Sequence, residues 1–148
     1  MKIKKAMSFF IIVCVSFVLV NCANQNKKSL SRVHFDFDQS YIRKDMIHVM
    51  DGNVSYIKGR GRHFSTKSHT AGSGGAVTIE GHCDNRGTNE YNYALGHRRA
   101  ESAKSYFVSH GISASGIKTV SFGEDRPLCD KNNESCWYMN RRDEFKLR

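Results

Sequence analysis

Apolar and polar residues follow different spacings in successive parts of the chain. Residues 6–20 form an apolar run without a single charge, and residues 23–31 form a short polar stretch. Beyond them Val33, Phe35 and Phe37 alternate with polar residues, which is the period-two pattern of a half-buried strand. This change of spacing divides the chain into a leading apolar segment, a linker and one patterned domain over residues 32–148.

Two longer stretches have apolar residues every three or four positions, as one buried face of a helix requires. The members of the first stretch are Ile42, Met46, Val49, Met50, Val54 and Ile57. The second stretch runs from Asn89 to His110, and Gly111 follows it where a glycine commonly ends a helix. Its apolar members are Leu95, Ala100, Ala103 and Phe107. The pattern therefore predicts two amphipathic helices.

Shorter alternating runs predict three more strands, at residues 77–81, 117–122 and 145–147. In the second of these, Val120 and Phe122 share one face of the strand. The order of elements is then β-α-β-α-β-β. Because helices stand between strands, this order predicts an α/β (α+β) domain with a mixed, partly parallel sheet and helices packed on it.

Residues 58–75 follow neither period. They are rich in glycine, serine, threonine and histidine, and they contain Lys58, Arg60, Arg62 and Lys67 but no acidic residue. We expect a basic surface loop inserted in the domain here. The Gly-Ser-Gly-Gly run at 72–75 precedes a strand without a following Gly-Lys-Ser/Thr, so a nucleotide-binding loop is not indicated.

The first 21 residues have the features of a cleaved signal peptide. Three lysines precede the apolar run, which is shorter than the about 20 residues of a membrane-spanning helix. The run ends in Leu19-Val20-Asn21-Cys22, which resembles a bacterial lipobox. This resemblance implies that Cys22 is lipidated and begins the mature protein, with residues 22–31 as its linker. An uncleaved signal anchor and a secreted protein cut elsewhere are the alternatives.

The most informative charged residues are one in a loop and one on a helix. Asp84 follows the second strand and precedes the long helix, a place where α/β sheets commonly hold binding residues. Arg99 stands four residues after Leu95, so both project from one helical face. A carboxylate facing a guanidinium suits a ligand that carries both an ammonium and a carboxylate group. The alternative is that Asp84 and Arg99 pair with each other and hold the loop on the helix.

The sequence around these two residues is similar to the signature of the OmpA-like peptidoglycan-binding domain family, above all in its peptidoglycan-associated lipoproteins. The similar run, residues 81–100, reads Gly-His-x-Asp-x-x-Gly-Thr-x-x-Tyr-Asn-x-x-Leu-Gly-x-x-Arg-Ala. Residues 35–38 resemble the opening strand of the family, residues 121–127 its third strand and turn, and residues 140–142 its closing motif. Asp143 and Glu144 stand where the family favours apolar residues, so we expect a frayed last strand.

The resemblance implies non-covalent binding of the peptidoglycan stem peptide, without catalysis, cofactor or metal. The residues matching Asp84 and Arg99 would hold the two ends of a diaminopimelate residue, and the residue matching Leu95 would line the pocket. Further residues would border the site: Phe37, Asp38, Arg86, Thr88 and Arg141. The sequence leaves open whether the ligand is diaminopimelate or another diamino acid such as ornithine.

The resemblance also implies a place in the cell. The protein would be a lipid-anchored outer-membrane lipoprotein whose domain faces the periplasm and tethers that membrane to the cell wall, with Tol-system proteins as further partners. A surface-exposed lipoprotein or adhesin with the same fold is the alternative.

Composition and charge restrict the class of protein further. With 39% hydrophobic and 25% charged residues, the 148-residue chain can bury a core and is neither a disordered tail nor a multi-span membrane protein. The net charge of +9 falls to +6 when residues 1–21, which carry three lysines and no acid, are removed. The remaining charge is spread over the basic loop and the arginine of the proposed site, so nucleic acid is not an expected partner.

The five cysteines divide among different expected roles. Cys14 lies in the signal peptide, and Cys22 would carry the lipid. Cys129 and Cys136, in a turn of an exported protein, are expected to form a disulfide, which leaves Cys83 as a free thiol.

Two other chemistries are open to these residues. A metal site is the first, built from Cys129 and Cys136 with His82, Cys83, Asp84 and His97, although their spacings are not those of zinc ligands. A Cys-His nucleophile at Cys83 and His82 is the second. We do not expect it, because adjacent residues point in different directions and no third orienting group is evident.

Overall fold

The computed structural model describes residues 29–64 and 77–147 of the chain. The predicted signal peptide, Cys22 and most of the linker lie outside the described residues, as do residues 65–75 of the predicted basic loop. No helix in the described part of the chain is long and apolar enough to cross a membrane.

The described residues form four strands and three α-helices. In chain order they are β1 (Val33–His34), α1 (Ile47–Phe64), β2 (Val77–His82), α2 (Asn89–Ser109), β3 (Ile117–Gly123), α3 (Glu134–Asn140) and β4 (Arg142–Leu147). Short 3₁₀ helices precede α1 at Lys44–Met46 and β3 at Ala114–Gly116.

The four strands form one mixed sheet in the order β1-β4-β2-β3. β2 and β3 are parallel, and α2 connects them. β4 lies between β1 and β2 and is antiparallel to both. The predicted α+β fold with a mixed sheet is therefore confirmed.

The core lies between the sheet and the helices α1 and α2. α2 buries the face that the sequence predicted, and α1 buries the predicted Met50, Val54 and Ile57, because their apolar residues recur at helical spacing. The predicted start of the first helix was wrong, since Ile42 and Met46 precede α1. The fully or nearly buried members of the core are Val33, Phe35, Met50, Val54, Ile57, Val77, Ile79, Ala100, Ala103, Phe107, Ile117 and Phe145. Thr88 caps the start of α2 by accepting a hydrogen bond from the backbone N–H of Tyr91.

Two glycines allow α2 to lie directly on β2. A Cβ atom on Gly81 would stand 2.0 Å from the carbonyl oxygen of Gly96, and one on Gly96 would stand 2.5 Å from Oγ of Ser121. Neither residue can carry a side chain unless the helix moves away from the sheet. This contact fixes the start of α2, and with it the loop that bears Asp84, against the end of β2.

The first strand is shorter than predicted. Val33 and Phe35 are buried, but the chain turns after Phe35, where Gln39 N–H donates to the carbonyl of Asp36 and Asp38 has a φ of 58°. The turn leaves Phe37 54% exposed. The predicted alternation was therefore wrong at Phe37.

Three other expectations were wrong in part. α1 continues to Phe64, so the predicted loop begins later than residue 58. The last strand is not frayed: it starts at Arg142 and, as a central strand, pairs on both sides, with Asp143 completely buried. α3 was not predicted, and Cys136 lies in this helix rather than in a turn.

Candidate functional site

A pocket of about 200 Å³ opens beyond the end of β2, between the start of α2 and the turn that follows β1. Its wall is formed by four segments: the turn after β1, the loop after β2, the first turns of α2 and the residue before β4. The lining residues are Phe37, Asp38, Cys83, Asp84, Arg86, Gly87, Tyr91, Asn92, Leu95, Arg99 and Arg141.

Asp84 lies at the wall of this pocket, and two arginines bind its carboxylate. Arg86 donates from its backbone N–H and Nε to Oδ1, at 3.1 and 3.2 Å, and from Nη2 to Oδ2 at 2.6 Å. Arg141 donates from Nη1 to Oδ2 at 3.1 Å. Burial alone would raise the pKa of Asp84, but these hydrogen bonds outweigh it and hold the pKa below its ordinary value. Asp84 is therefore an anion at neutral pH.

Arg141 is buried and connects three parts of the fold. Besides Asp84 it binds the carbonyl of Phe35 through Nε, at 3.0 Å, and Glu134 of α3 through Nη2, at 2.5 Å. The arginine thus ties the turn after β1, the loop after β2 and α3 together around the pocket.

Arg86 is held between two aromatic rings. Its guanidinium carbon lies 4.0 Å from the ring centre of Phe37 and 4.1 Å from that of Trp137. Such cation-π contacts stabilise the guanidinium in a partly exposed position. The exposure of Phe37 therefore has a local reason, because its ring forms one side of this stack at the rim of the pocket.

Arg99 is completely buried, and the atoms that bind it are neutral. Nε donates to the carbonyl of Gln39 at 2.8 Å, and Nη2 donates to that of Asp36 at 3.2 Å. Nη1 donates to the carbonyl of His82 at 2.8 Å and to Sγ of Cys83 at 3.3 Å. Within the described residues these four contacts leave one of the five N–H donors unused, and no carboxylate is hydrogen-bonded to the guanidinium.

Asp84 and Arg99 do not bind each other. Each has its own partners, and both line the same pocket. The alternative that they form a mutual ion pair was therefore wrong, because Arg86 and Arg141 occupy the carboxylate.

Seven of the eight sequence-predicted binding residues line the pocket: Phe37, Asp38, Asp84, Arg86, Leu95, Arg99 and Arg141. Thr88 does not line it and acts as the cap of α2.

Sequence reasoning did not assign the other four lining residues to the site: Cys83, Gly87, Tyr91 and Asn92. Asn92 donates to the carbonyl oxygens of Asp84 and Arg86, and so it shapes the loop. Tyr91 donates a hydrogen bond to Asp38 across the rim. Because Asn92 precedes Leu95 by three positions and Arg99 by seven, helical spacing could have identified it.

The alternatives of a metal site and of a Cys-His nucleophile lack support in the described residues. Cys129 and Cys136 form a disulfide, and no group of three or more His, Cys, Asp or Glu side chains in the described part could hold a metal. Burial raises the pKa of Cys83 to about 11, so its thiol stays protonated, and His82 stacks on Phe122. The charged side chains of the pocket, Asp84 and its arginines, are suited to binding charged groups of a ligand.

Comparison with known proteins identifies the family of the chain. The family described as the OmpA family matches residues 34–141, which include the whole lining of the pocket. The chain belongs to the OmpA family. The match extends from β1 to the residue before β4 and so covers every turn that contributes to the site.

Two similar proteins are named peptidoglycan-associated lipoprotein. The one from Pseudomonas aeruginosa is 34% identical over 119 residues, which cover 80% of this chain and 63% of the relative. The one from Mesorhizobium japonicum is 38% identical over 111 residues, which cover 75% of this chain and 59% of the relative. The chain thus spans about three fifths of the length of these relatives.

A solved structure shows the same fold. The crystal structure of the peptidoglycan-associated lipoprotein from Burkholderia pseudomallei superimposes with a TM-score of 0.70 at 26% identity, covering 87% of this chain and 98% of that chain.

Proposed function

We propose that the pocket binds the peptidoglycan stem peptide non-covalently, through the end of a diaminopimelate side chain that carries both an ammonium and a carboxylate. The observation that carries the proposal is the buried guanidinium of Arg99, whose hydrogen-bond partners in the described part of the chain are all neutral, beside the anionic Asp84 in one small pocket. No step of this function requires catalysis, a cofactor or a metal.

The ligand carboxylate belongs at Arg99. Burial removes water from the guanidinium, and among the described residues the carboxyl groups of Asp143 and Asp84 act on it electrostatically without a hydrogen bond. A hydrogen-bonded anion would therefore stabilise it further. The remaining Nη2 donor can bind a carboxylate oxygen, and charge-assisted bonds of this kind are among the strong ones. An ornithine side chain ends in an ammonium alone, so it would leave the guanidinium of Arg99 without a carboxylate partner.

The ligand ammonium belongs at Asp84. Arg86 and Arg141 already occupy its two oxygens, so the ammonium replaces one of them. Arg86 is the one that can yield: its side chain is partly exposed and held by Phe37 and Trp137, whereas that of Arg141 is buried and bound on three sides. We infer that the Arg86 side chain moves outward when the ligand enters.

The wider role in the proposal is a tether between the outer membrane and the cell wall. It is supported by the names of the relatives, which are lipoproteins associated with peptidoglycan, and by the lipobox-like sequence at Cys22. In the proposal the lipid chains hold the outer membrane, the domain faces the periplasm and the pocket holds the stem peptide. Resistance of the domain to protease added to intact cells tests this orientation, since an adhesin would be digested.

The proposal includes cooperation with Tol-system proteins, which the family resemblance implies. Co-purification of Tol proteins with the cross-linked lipoprotein from intact cells tests this part. Failure there would remove the Tol role and leave the binding of peptidoglycan untouched.

Sedimentation with purified sacculi tests the binding itself. Asp84→Asn removes the charge at nearly constant shape, and Arg99→Lys keeps the charge but removes the guanidinium and with it the Nη2 donor that we assign to the carboxylate. Each loss of a charged hydrogen bond costs about 1.5–3 kcal/mol, so we expect binding to fall roughly 10- to 150-fold.

Asp130→Asn and Arg32→Lys are the matched controls, because both residues are exposed and lie outside the pocket. They should sediment like the wild type, and circular dichroism should show all four variants folded. Wild-type sedimentation of folded Asp84→Asn and Arg99→Lys would exclude this pocket as the site.

A further inference from the structure

The linker leaves the domain at the end opposite the pocket. Asn53 of α1 holds the backbone of Ser31 by two hydrogen bonds of 2.8 Å, one to its N–H and one to its carbonyl. Arg32 Nε lies 3.1 Å from Glu144 Oε1, which places the segment before β1 alongside β4. Because β1 and β4 are antiparallel, residues before β1 continue toward the far end of β4.

The strands and helices define these two ends of the domain. The pocket end holds Asp84, Arg141 and the start of α2. The far end holds the first residues of β2 and β3 and the last residues of α1, α2 and β4. A strand of six residues spans about 20 Å and a helix of 21 residues about 30 Å. The two ends are therefore separated by roughly 20–30 Å.

The far end carries exposed cations. Lys58 and Arg60 lie in the last turns of α1, and Lys118 lies at the start of β3. Lys58 Nζ is 3.8 Å from the place where a Cβ on Gly111 would stand, so it reaches the loop that leads into β3. Within the described residues no carboxylate forms a salt bridge with any of these three side chains.

The linker and Arg60 share one surface. Ser29 and Ser31 line a groove of about 720 Å³ together with Arg60 and with Tyr56, whose hydroxyl accepts a hydrogen bond from Arg60. The exit of the linker therefore lies directly beside the basic end of α1. From Cys22 to Ser29 the chain has seven residues, which reach at most about 25 Å.

We propose that this far end, through Lys58, Arg60 and Lys118, docks on the phosphate groups of anionic phospholipids. The proposal rests on the lipid anchor of the proposed function, because a short linker keeps this end next to the membrane. Lysine and arginine near an anionic lipid surface are attracted to it, and the attraction falls off within a Debye length. Docking would orient the pocket away from the membrane, toward the cell wall.

Vesicle sedimentation without the acyl anchor tests the docking. The probe is the chain from residue 22 with Cys22→Ser, which keeps the whole core described above. The vesicles are equimolar phosphatidylglycerol and phosphatidylcholine, compared with phosphatidylcholine alone. We expect binding to the anionic vesicles only, and we expect it to be lost in about 1 M salt, where the Debye length is about 3 Å.

The double variant Lys58→Gln, Arg60→Gln should bind anionic vesicles about 30-fold more weakly, at about fivefold for each charge. Lys44→Gln, Lys131→Gln is the matched control, since it removes the same charge from exposed positions at the pocket end. It should bind within about threefold of the parent.

Three results would overturn the proposal: equal binding to neutral vesicles, wild-type binding by the Lys58 and Arg60 variant, or an equal loss in the control. Sedimentation with sacculi is measured on the same samples. Sedimentation with sacculi should not change in either variant, because Lys58 and Arg60 lie at the other end of the domain and Lys44 and Lys131 do not line the pocket. Failure of lipid docking and failure of peptidoglycan binding are therefore told apart.

Discussion

Arg141 and Asp84 form a buried ion pair at the wall of the pocket. Arg141 Nη1 lies 3.1 Å from Asp84 Oδ2, and both side chains are 4% exposed. The pair joins the loop after β2 to the residue that precedes β4. Arg141 thus both positions Asp84 at the pocket and stabilises the fold around it.

Arg141→Met should therefore destabilise the protein. The substitution removes one of the two arginines that bind the buried Asp84 carboxylate, together with the hydrogen bonds to Phe35 and Glu134. We expect this to lower the free energy of unfolding by about 3 kcal/mol. Urea denaturation measures this loss. Arg32→Met, which removes an exposed partner of Glu144, should change stability by less than about 1 kcal/mol. Equal small effects of both substitutions would contradict the structural role of Arg141.

Asp143 should make stability depend on pH. It is completely buried, neither of its carboxylate oxygens has a hydrogen-bond partner within the described residues, and burial raises its pKa well above the ordinary value. The folded protein therefore keeps this proton above about pH 4, where the unfolded chain loses it. The wild type should lose stability, relative to Asp143→Asn, as pH rises from about 4 to 7.

Urea denaturation of the two proteins at several pH values measures this difference. By pH 7 we expect it to reach about 1–3 kcal/mol, the cost of an unsatisfied buried polar group. If the free energies of unfolding of the wild type and of Asp143→Asn change equally with pH, Asp143 keeps an ordinary pKa.

The close contact between β2 and α2 predicts opposite effects for two glycine substitutions. Gly81→Ala would place a Cβ 2.0 Å from a backbone oxygen of α2, so it should destabilise the protein by about 3 kcal/mol. Gly52→Ala in α1 meets no atom of the described residues within 4 Å and should stabilise the helix by about 0.5–1 kcal/mol. Thermal denaturation of both variants checks the pair, and destabilisation of similar size in both would count against the packing described.

Thiol titration should distinguish the three cysteines of the described domain. Cys83 is buried with a pKa raised to about 11, so in the folded chain that starts at residue 22 and carries Cys22→Ser it should not react at pH 8. Denaturant without reductant should expose this one thiol, and reduction should add the two from Cys129 and Cys136. Three reactive thiols before reduction would mean that the disulfide does not form.

The helices and the sheet could be predicted because apolar residues that recur at a regular spacing mark the buried face of each element. α1 and α2 repeat their apolar residues over several turns, and the spacing around Asp84 indicated a site at the end of β2. α3 has seven residues and depends on the contacts of Cys136 and Asn140 with the preceding loop, which no local pattern shows.

The contacts within the site could not be predicted in the same way. Trp137 and Glu134 lie about 50 residues along the chain from Arg86, so their approach to it depends on the tertiary fold. The burial of Asp143 results from the central position of β4 in the sheet, which overrides the polar character of the residue.

Calorimetric titration with synthetic stem peptides tests the proposed binding mode most directly. Two peptides that differ at one residue, diaminopimelate in one and lysine in the other, differ by the carboxylate that we assign to Arg99. The diaminopimelate peptide should bind the wild type at least about tenfold more tightly, and Arg99→Lys should abolish this preference. Equal affinity of the wild type for both peptides would contradict the assignment of the ligand carboxylate to Arg99.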